Sequence, residues 1–82
     1  MYRITFKKSV SKDLGKLSKD TLKRIFDKIE KDLTENPEQY PELKGKFAGL
    51  RKYRVGDYRI LFVLLEDTVL VARVKHRRDA YK

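Results

Sequence analysis

Tyr2, Arg3, Ile4, Thr5 and Phe6 alternate apolar and polar side chains, which is the period of a strand with Tyr2, Ile4 and Phe6 on one face. From Ser9 the period lengthens. Val10, Leu14 and Leu17 stand four and three residues apart and predict a short amphipathic helix, capped by Ser9 and weakened by Gly15. Ser18 can cap a second, stronger helix. Leu22, Ile25, Phe26, Ile29 and Leu33 fall at i, i+3, i+4, i+7 and i+11, one continuous apolar stripe. On its outer face Asp27 and Lys31, and Lys28 and Asp32, are placed to pair at i+4. Asn36-Pro37 ends this helix, because proline disfavours a helical conformation in the residue before it.

Residues 37–49 hold both prolines and two of the four glycines and read as a connecting loop. Three strand-like runs follow, Leu50 to Val55, Tyr58 to Leu65 and Thr68 to Lys75, rich in Val, Ile, Leu and Tyr. Gly56-Asp57 predicts a two-residue hairpin turn of type II′, with glycine at its first central position, and Glu66-Asp67 predicts a second tight turn. The order is β-α-α-β-β-β. An N-terminal strand and a C-terminal antiparallel meander pack against a helical hairpin, giving an α+β two-layer fold in a single domain, residues 1–82.

Composition narrows the chemistry. There is no cysteine, which removes disulfides, thiolate metal sites and a cysteine nucleophile. One histidine, His76, excludes a His-rich metal site within the chain and a paired-histidine acid–base mechanism. The serines, Ser9, Ser11 and Ser18, lie at helix starts, where capping accounts for them. No run approaches the roughly 20 apolar residues of a membrane span, and MYRITFKKS has no secretory-signal character, so a cytoplasmic location with no membrane partner is expected. The net charge of +9 points to a polyanion or an acidic protein as partner.

That charge is unevenly placed. Up to Pro41 the chain carries net +3; beyond it, net +6 and six arginines, Arg51, Arg54, Arg59, Arg73, Arg77 and Arg78. A two-residue turn at Gly56-Asp57 pairs Val55 with Tyr58 and sets Arg54 opposite Arg59, so Lys52, Arg54 and Arg59 share one sheet face. Like charges directly opposite destabilise a sheet by roughly 0.2–1 kcal/mol. A bound anion would relieve the repulsion; alternatively the arginines reach outward into water or are neutralised by Asp57 and Asp79. Tyr53, Tyr58, Arg51 and Arg73 are read at the opposite parity and expected to be structural. The acids of this half, Glu42, Asp57, Glu66, Asp67 and Asp79, do not converge as a two-metal site requires. A site of Arg, Lys and Tyr, with His76 as a further candidate, remains; it can stabilise a phosphorane by charge but is poor in conventional general bases.

The motifs Leu43-Lys44-Gly45, Lys52 to Ile60 (KYRVGDYRI) and Val74 to Tyr81 (VKHRRDAY) resemble the C-terminal half of RelE/ParE-superfamily toxins of type II toxin–antitoxin systems, the RelE branch above all. The element order is that family's as well. The resemblance implies a microbial-ribonuclease-like fold and a ribosome-dependent mRNA endonuclease. It would cleave in the A site by metal-free 2′-OH attack, without a cofactor, and so inhibit translation. It implies that Lys52 and Arg54 contact phosphate and stabilise charge, Lys52 as part of the catalytic set, that Arg59 orients the scissile phosphate and stabilises its transition state, that Arg77 stabilises or helps protonate the leaving 5′ oxygen, and that Tyr81 stacks on or activates the attacking nucleotide. His76 is counted with the phosphate-binding residues; in some branches a histidine here or nearby is catalytic, and otherwise it is a strand-end side chain with ordinary hydrogen bonds. The implied partners are the ribosome, mRNA and a cognate RelB-like antitoxin, acidic or amphipathic, in a heteromeric complex. A ParE-type DNA gyrase inhibitor and an inactive, antitoxin-binding member are the competing readings.

Overall fold

The structure, a computed structural model, describes residues 1–78 and sets the apolar stripes of helix and sheet against each other. The elements are β1 (Arg3–Phe6), α1 (Val10–Leu14), α2 (Lys19–Leu33), β2 (Arg51–Val55), β3 (Tyr58–Leu65) and β4 (Thr68–His76), with short 3-10 turns at Pro37–Gln39 and Gly45–Phe47 in the connecting loop. The expected α+β order holds. The four strands lie in the order β1-β4-β3-β2; β1 runs parallel to β4, and the meander is antiparallel.

Ser18 caps α2 by accepting the Thr21 N–H at 3.2 Å. Ile25, Ile29 and Leu33 are buried against Tyr53, Val55, Ile60, Phe62, Val69, Val71 and Val74 of the sheet. The apolar stripe is narrower than its sequence implies, since Phe26 is 39% exposed and rests edge-on against Phe6 at the border of the core, ring centroids 5.4 Å apart. Helix α1 is only five residues long. Ser9 makes no side-chain cap, because its own backbone is already helical (φ −64°, ψ −18°), and Leu17 lies beyond the helix. Among the described residues neither expected i+4 pair on α2 closes as an ion pair. Asp32 instead accepts the Tyr53 hydroxyl, which also reaches the Lys28 carbonyl at 3.2 Å. Burial first, and then that carboxylate, push the Tyr53 phenol well above its ordinary value, so it stays a donor tying sheet to helix.

Both meander turns are two residues long. Gly56 supplies the positive φ (+57°) of the first, and Asp57 is not left-handed, which makes the turn type II′ as the sequence predicts. The second turn puts Glu66 at φ +47°. A left-handed non-glycine costs about 1–2 kcal/mol, of which the extra unfolded-state freedom of glycine returns about 0.5–1. Glu66→Gly is therefore expected to raise the melting temperature by a few degrees in a thermal scan; a lower value would contradict this strain.

Strand β4 also carries a bulge. Phe62 pairs with Val71 but Leu61 pairs with Arg73, leaving Ala72 as the extra residue. Just past the last residue paired to β1, the Val74 N–H donates to Asp13 of α1 at 3.0 Å, and Arg73 binds the same carboxylate at 3.0 and 3.3 Å. Helix α1 thus continues the edge of β4 where β1 stops. Burial alone would raise the Asp13 carboxyl. The hydrogen bonds from Arg73 and Val74, with the charges of Arg73 and Lys75, outweigh burial and hold it below the ordinary carboxylate value. Among the described residues no helix is long and apolar enough to cross a membrane.

Candidate functional site

Alternation sends Tyr53, Val55, Ile60, Phe62 and Val74 to the helices, and sends Lys52, Arg54, Arg59 and Lys75 to the other face of the sheet. No described helix covers that second face. The register confirms that Arg54 stands directly opposite Arg59, with Val55 opposite Tyr58. Arg59 in turn stands opposite Lys75. Three cationic residues therefore form one row across β2, β3 and β4, with side chains roughly 5 Å apart at Cβ. Lys52 lies two residues from Arg54 on the same face. Arg77 follows two residues after Lys75, and its N–H donates to the Asp57 carbonyl at 2.7 Å, extending the ladder by one step. Its guanidinium stands 4.0 Å from the Asp57 carboxylate. Both groups are mostly exposed, so that pairing contributes little and gives way readily to a better anion.

Of the two counter-ions the sequence offers, Asp57 stands beside the Arg77 guanidinium, and Asp79 lies outside the described residues. Arg51 and Arg73 are structural, as expected. Arg51 donates to the carbonyls of Glu38 and Tyr40, at 3.1 and 2.7 Å, and pins the connecting loop; Arg73 holds Asp13. The parity expected for Arg73 is corrected, since the bulge brings it opposite Leu61, in phase with Arg59. Tyr81 lies outside the described residues.

His76 is not gathered with the others. It stands opposite Tyr58, in phase with Ile60 and Val74 and so on the helix side of the sheet. Its ring meets that of Tyr58 edge-on, 5.2 Å between centroids, and its Nδ1 accepts the Arg78 N–H at 3.2 Å. A cleft of about 190 Å³ runs past it, lined by Asp13, Lys16, Leu17, Tyr58 and Lys75.

Sequence reasoning missed Lys75 and the half-exposed aliphatic strip Leu61, Val63 and Leu70, which continues the basic face toward the Glu66-Asp67 turn. A signal for Lys75 was present: Val69, Val71 and Val74 break the two-residue period by one, the mark of a bulge. Chemically, the arrangement offers converging forked and point cations beside an apolar shelf. It suits a phosphodiester with a base laid next to it.

Comparison with known proteins follows the same line. Residues 4–81 match the family model described as the ParE toxin of the type II toxin–antitoxin system parDE. The fold resembles the solved RelBE2 toxin–antitoxin complex of Mycobacterium tuberculosis at 30% identity and TM-score 0.85, covering 93% of this chain and 98% of that one. It also resembles the RelB–RelE antitoxin–toxin complex of Methanococcus jannaschii at 31% identity and TM-score 0.69, with 94% of each chain covered. A third likeness is to the RelE–RelB complex of Pyrococcus horikoshii, at 26% identity and TM-score 0.67, over 96% of this chain and 98% of that one. No curated protein sequence matches significantly.

Proposed function

Since the chain belongs to the RelE/ParE superfamily of toxins from type II toxin–antitoxin systems, we propose that it is a RelE-type, ribosome-dependent mRNA endonuclease acting in the cytoplasm. The observation that carries this reading is the row Arg54, Arg59 and Lys75 on a sheet face that no described helix covers, flanked by Lys52 and Arg77. Such a row sets like charges opposite one another across strands, where they repel. It becomes favourable when a phosphodiester backbone lies along it.

In this reading Lys52 and Arg54 hold flanking phosphate oxygens. Arg59 grips the scissile phosphate and stabilises the charge that grows on its equatorial oxygens. The 2′-OH attacks phosphorus, the P–O5′ bond breaks, and the products are a 2′,3′-cyclic phosphate and a 5′-OH. A proton leaves the 2′ oxygen and one arrives at the 5′ oxygen, where Arg77 stabilises the leaving group. Tyr81 orders the attacking nucleotide. With so few ordinary bases, the site relies on alignment of its substrate by the ribosome. A RelB-like antitoxin, matching the partners in the M. tuberculosis and M. jannaschii complexes, covers basic and apolar surface and holds the toxin inactive.

The test is primer extension on mRNA incubated with translating ribosomes and purified toxin. Discrete A-site cleavage supports the reading; intact mRNA overturns it. The family description favours one rival, a ParE-type block of DNA gyrase. Dose-dependent loss of supercoiling by purified gyrase, with mRNA left intact, would establish that rival instead.

Salt gives an independent check. If three to five of the cations engage phosphates, the affinity for single-stranded RNA should fall with a log–log slope of about −2 to −3.5, near −0.7 per contact. Fluorescence titrations at several ionic strengths measure it; a flat response would exclude phosphate contact by this face.

A further inference from the structure

We infer that His76 is a positioning residue that closes the turn carrying Arg77, and that it does so only while its Nδ1 is unprotonated. The inference rests on the nuclease reading above, in which Arg77 meets the leaving group.

Arg77 is the first residue past β4, where the sheet no longer fixes the chain on both sides. Two consecutive backbone N–H groups set its conformation there. Its own donates to the Asp57 carbonyl at 2.7 Å; that of Arg78 donates to His76 Nδ1 at 3.2 Å. The second bond spans i to i+2 from a side chain, as asparagine and aspartate do in tight turns. The acceptor is itself held in place. The imidazole lies edge-on to Tyr58 at an interplanar angle of 86°, and Tyr58 is its cross-strand partner. One N–H fixes where Arg77 begins and the other fixes how the chain leaves it, so together they aim the guanidinium along the basic face.

Two other roles are less well served by this geometry. His76 stands on the opposite side of the sheet from Arg59, out of line with a phosphate gripped there. For the same reason it is poorly placed to exchange a proton with the reacting nucleotide.

The acceptor role requires the ring proton on Nε2. Protonation puts a second N–H on Nδ1, facing the Arg78 N–H, and the bond is lost. Among the described residues, the charged and titratable groups around the ring are Asp13 and Lys16 from α1 and the segment after it, Tyr58 from β3, and Lys75, Arg77 and Arg78 along its own strand and turn. Asp13 is already committed to Arg73 and Val74. An acid-sensitive turn is therefore built into the end of β4, at the last residue before Arg77.

The experiment has a spectroscopic and a kinetic arm, both on the full chain. Amide NMR of the wild type across pH 5–8 should show the Arg78 N–H titrating with the His76 ring. In His76→Asn, whose Oδ1 can stand in for Nδ1, the Arg78 signal should stay bonded and cease to titrate. His76→Phe keeps the ring against Tyr58 but has no acceptor, so Arg78 should exchange freely with solvent. In ribosome cleavage assays, His76→Phe should lower kcat about fivefold, the factor carried by one ordinary hydrogen bond, with KM nearly unchanged. His76→Asn should recover most of the rate and lose the decline on the acid side. Equal inactivity of the Asn and Phe variants, or a fully active Phe variant, would overturn the inference. So would an Arg78 amide that ignores the His76 titration while the wild type cleaves. A wild type that leaves mRNA intact would refute the nuclease reading, and the positioning role with it.

Discussion

Arg59→Ala is expected to slow ribosome-dependent mRNA cleavage by about 10²–10³-fold, the usual cost of removing one preorganised donor aimed at developing charge. The side chain stands at the middle of the cationic row, with Arg54 across one strand gap and Lys75 across the other. No other forked donor occupies that central place, and neither neighbour can reach it without leaving its own. Arg59→Lys keeps the charge but loses the two-pronged grip, so it should recover only part of the rate. The fold should survive both changes, since Arg59 lies on the sheet face that no described helix covers. Primer extension and a thermal scan on the same preparations separate the two effects. A cleavage rate within a few-fold of wild type, or a melting temperature that collapses together with activity, would contradict this assignment.

Asp13→Ala is expected to be the most damaging single change to stability, at about 3 kcal/mol. Breaking a buried ion pair ordinarily costs about 3–5 kcal/mol. Here Arg73 is 44% exposed and can return to water, so its share is smaller. The Val74 N–H cannot, and an orphaned buried donor costs about 1–3 kcal/mol. In a domain of this size the loss corresponds to a fall of about 12–24 °C in melting temperature. The pH dependence follows from the depressed Asp13 carboxyl. Its contribution is complete above the unfolded carboxylate value, near 3.9, and is lost as pH falls through the lower folded value. The stability gap between wild type and Asp13→Ala, measured by urea unfolding, should therefore be wide at pH 7 and close under acid. A gap that persists unchanged at pH 2 would show that Asp13 acts through packing and not through its charge.

The sequence carried a good deal of this. Helix α2 announces itself through Ser18 and the spacing of Ile25, Ile29 and Leu33, because a cap and a 3.6-residue period are local properties. The β2–β3 register was equally legible, since a two-residue turn at Gly56-Asp57 leaves one pairing, and that pairing fixes Arg54 opposite Arg59. What was missed depends on pairing between distant segments, even where the Val69, Val71 and Val74 spacing carried a local mark of it. The Glu66-Asp67 turn, extended without interruption, sets Val74 against Arg59; the bulge at Ala72 moves the pairing by one and substitutes Lys75. Nor does any local signal tell β1 to lie parallel to β4, or Asp13 to bond Val74 across sixty-one positions. His76 reads as one more member of a basic cluster until the register puts it on the helix side.

The pairing of β1 with β4 also governs the order in which this protein can come into being. Strand β1 has β4, made after every other described strand, as its only described neighbour, and the segment between them exceeds sixty residues. Closing so long a loop must precede any return from the contacts it brings. Helix α2 and the β2–β3 hairpin can form during synthesis from local contacts. The sheet cannot be completed, and Lys75 and Arg77 cannot join Arg59, until β4 and the residues that follow it have emerged. The cationic row is thus a late product of synthesis, assembled only once β4 can close against β1 and β3.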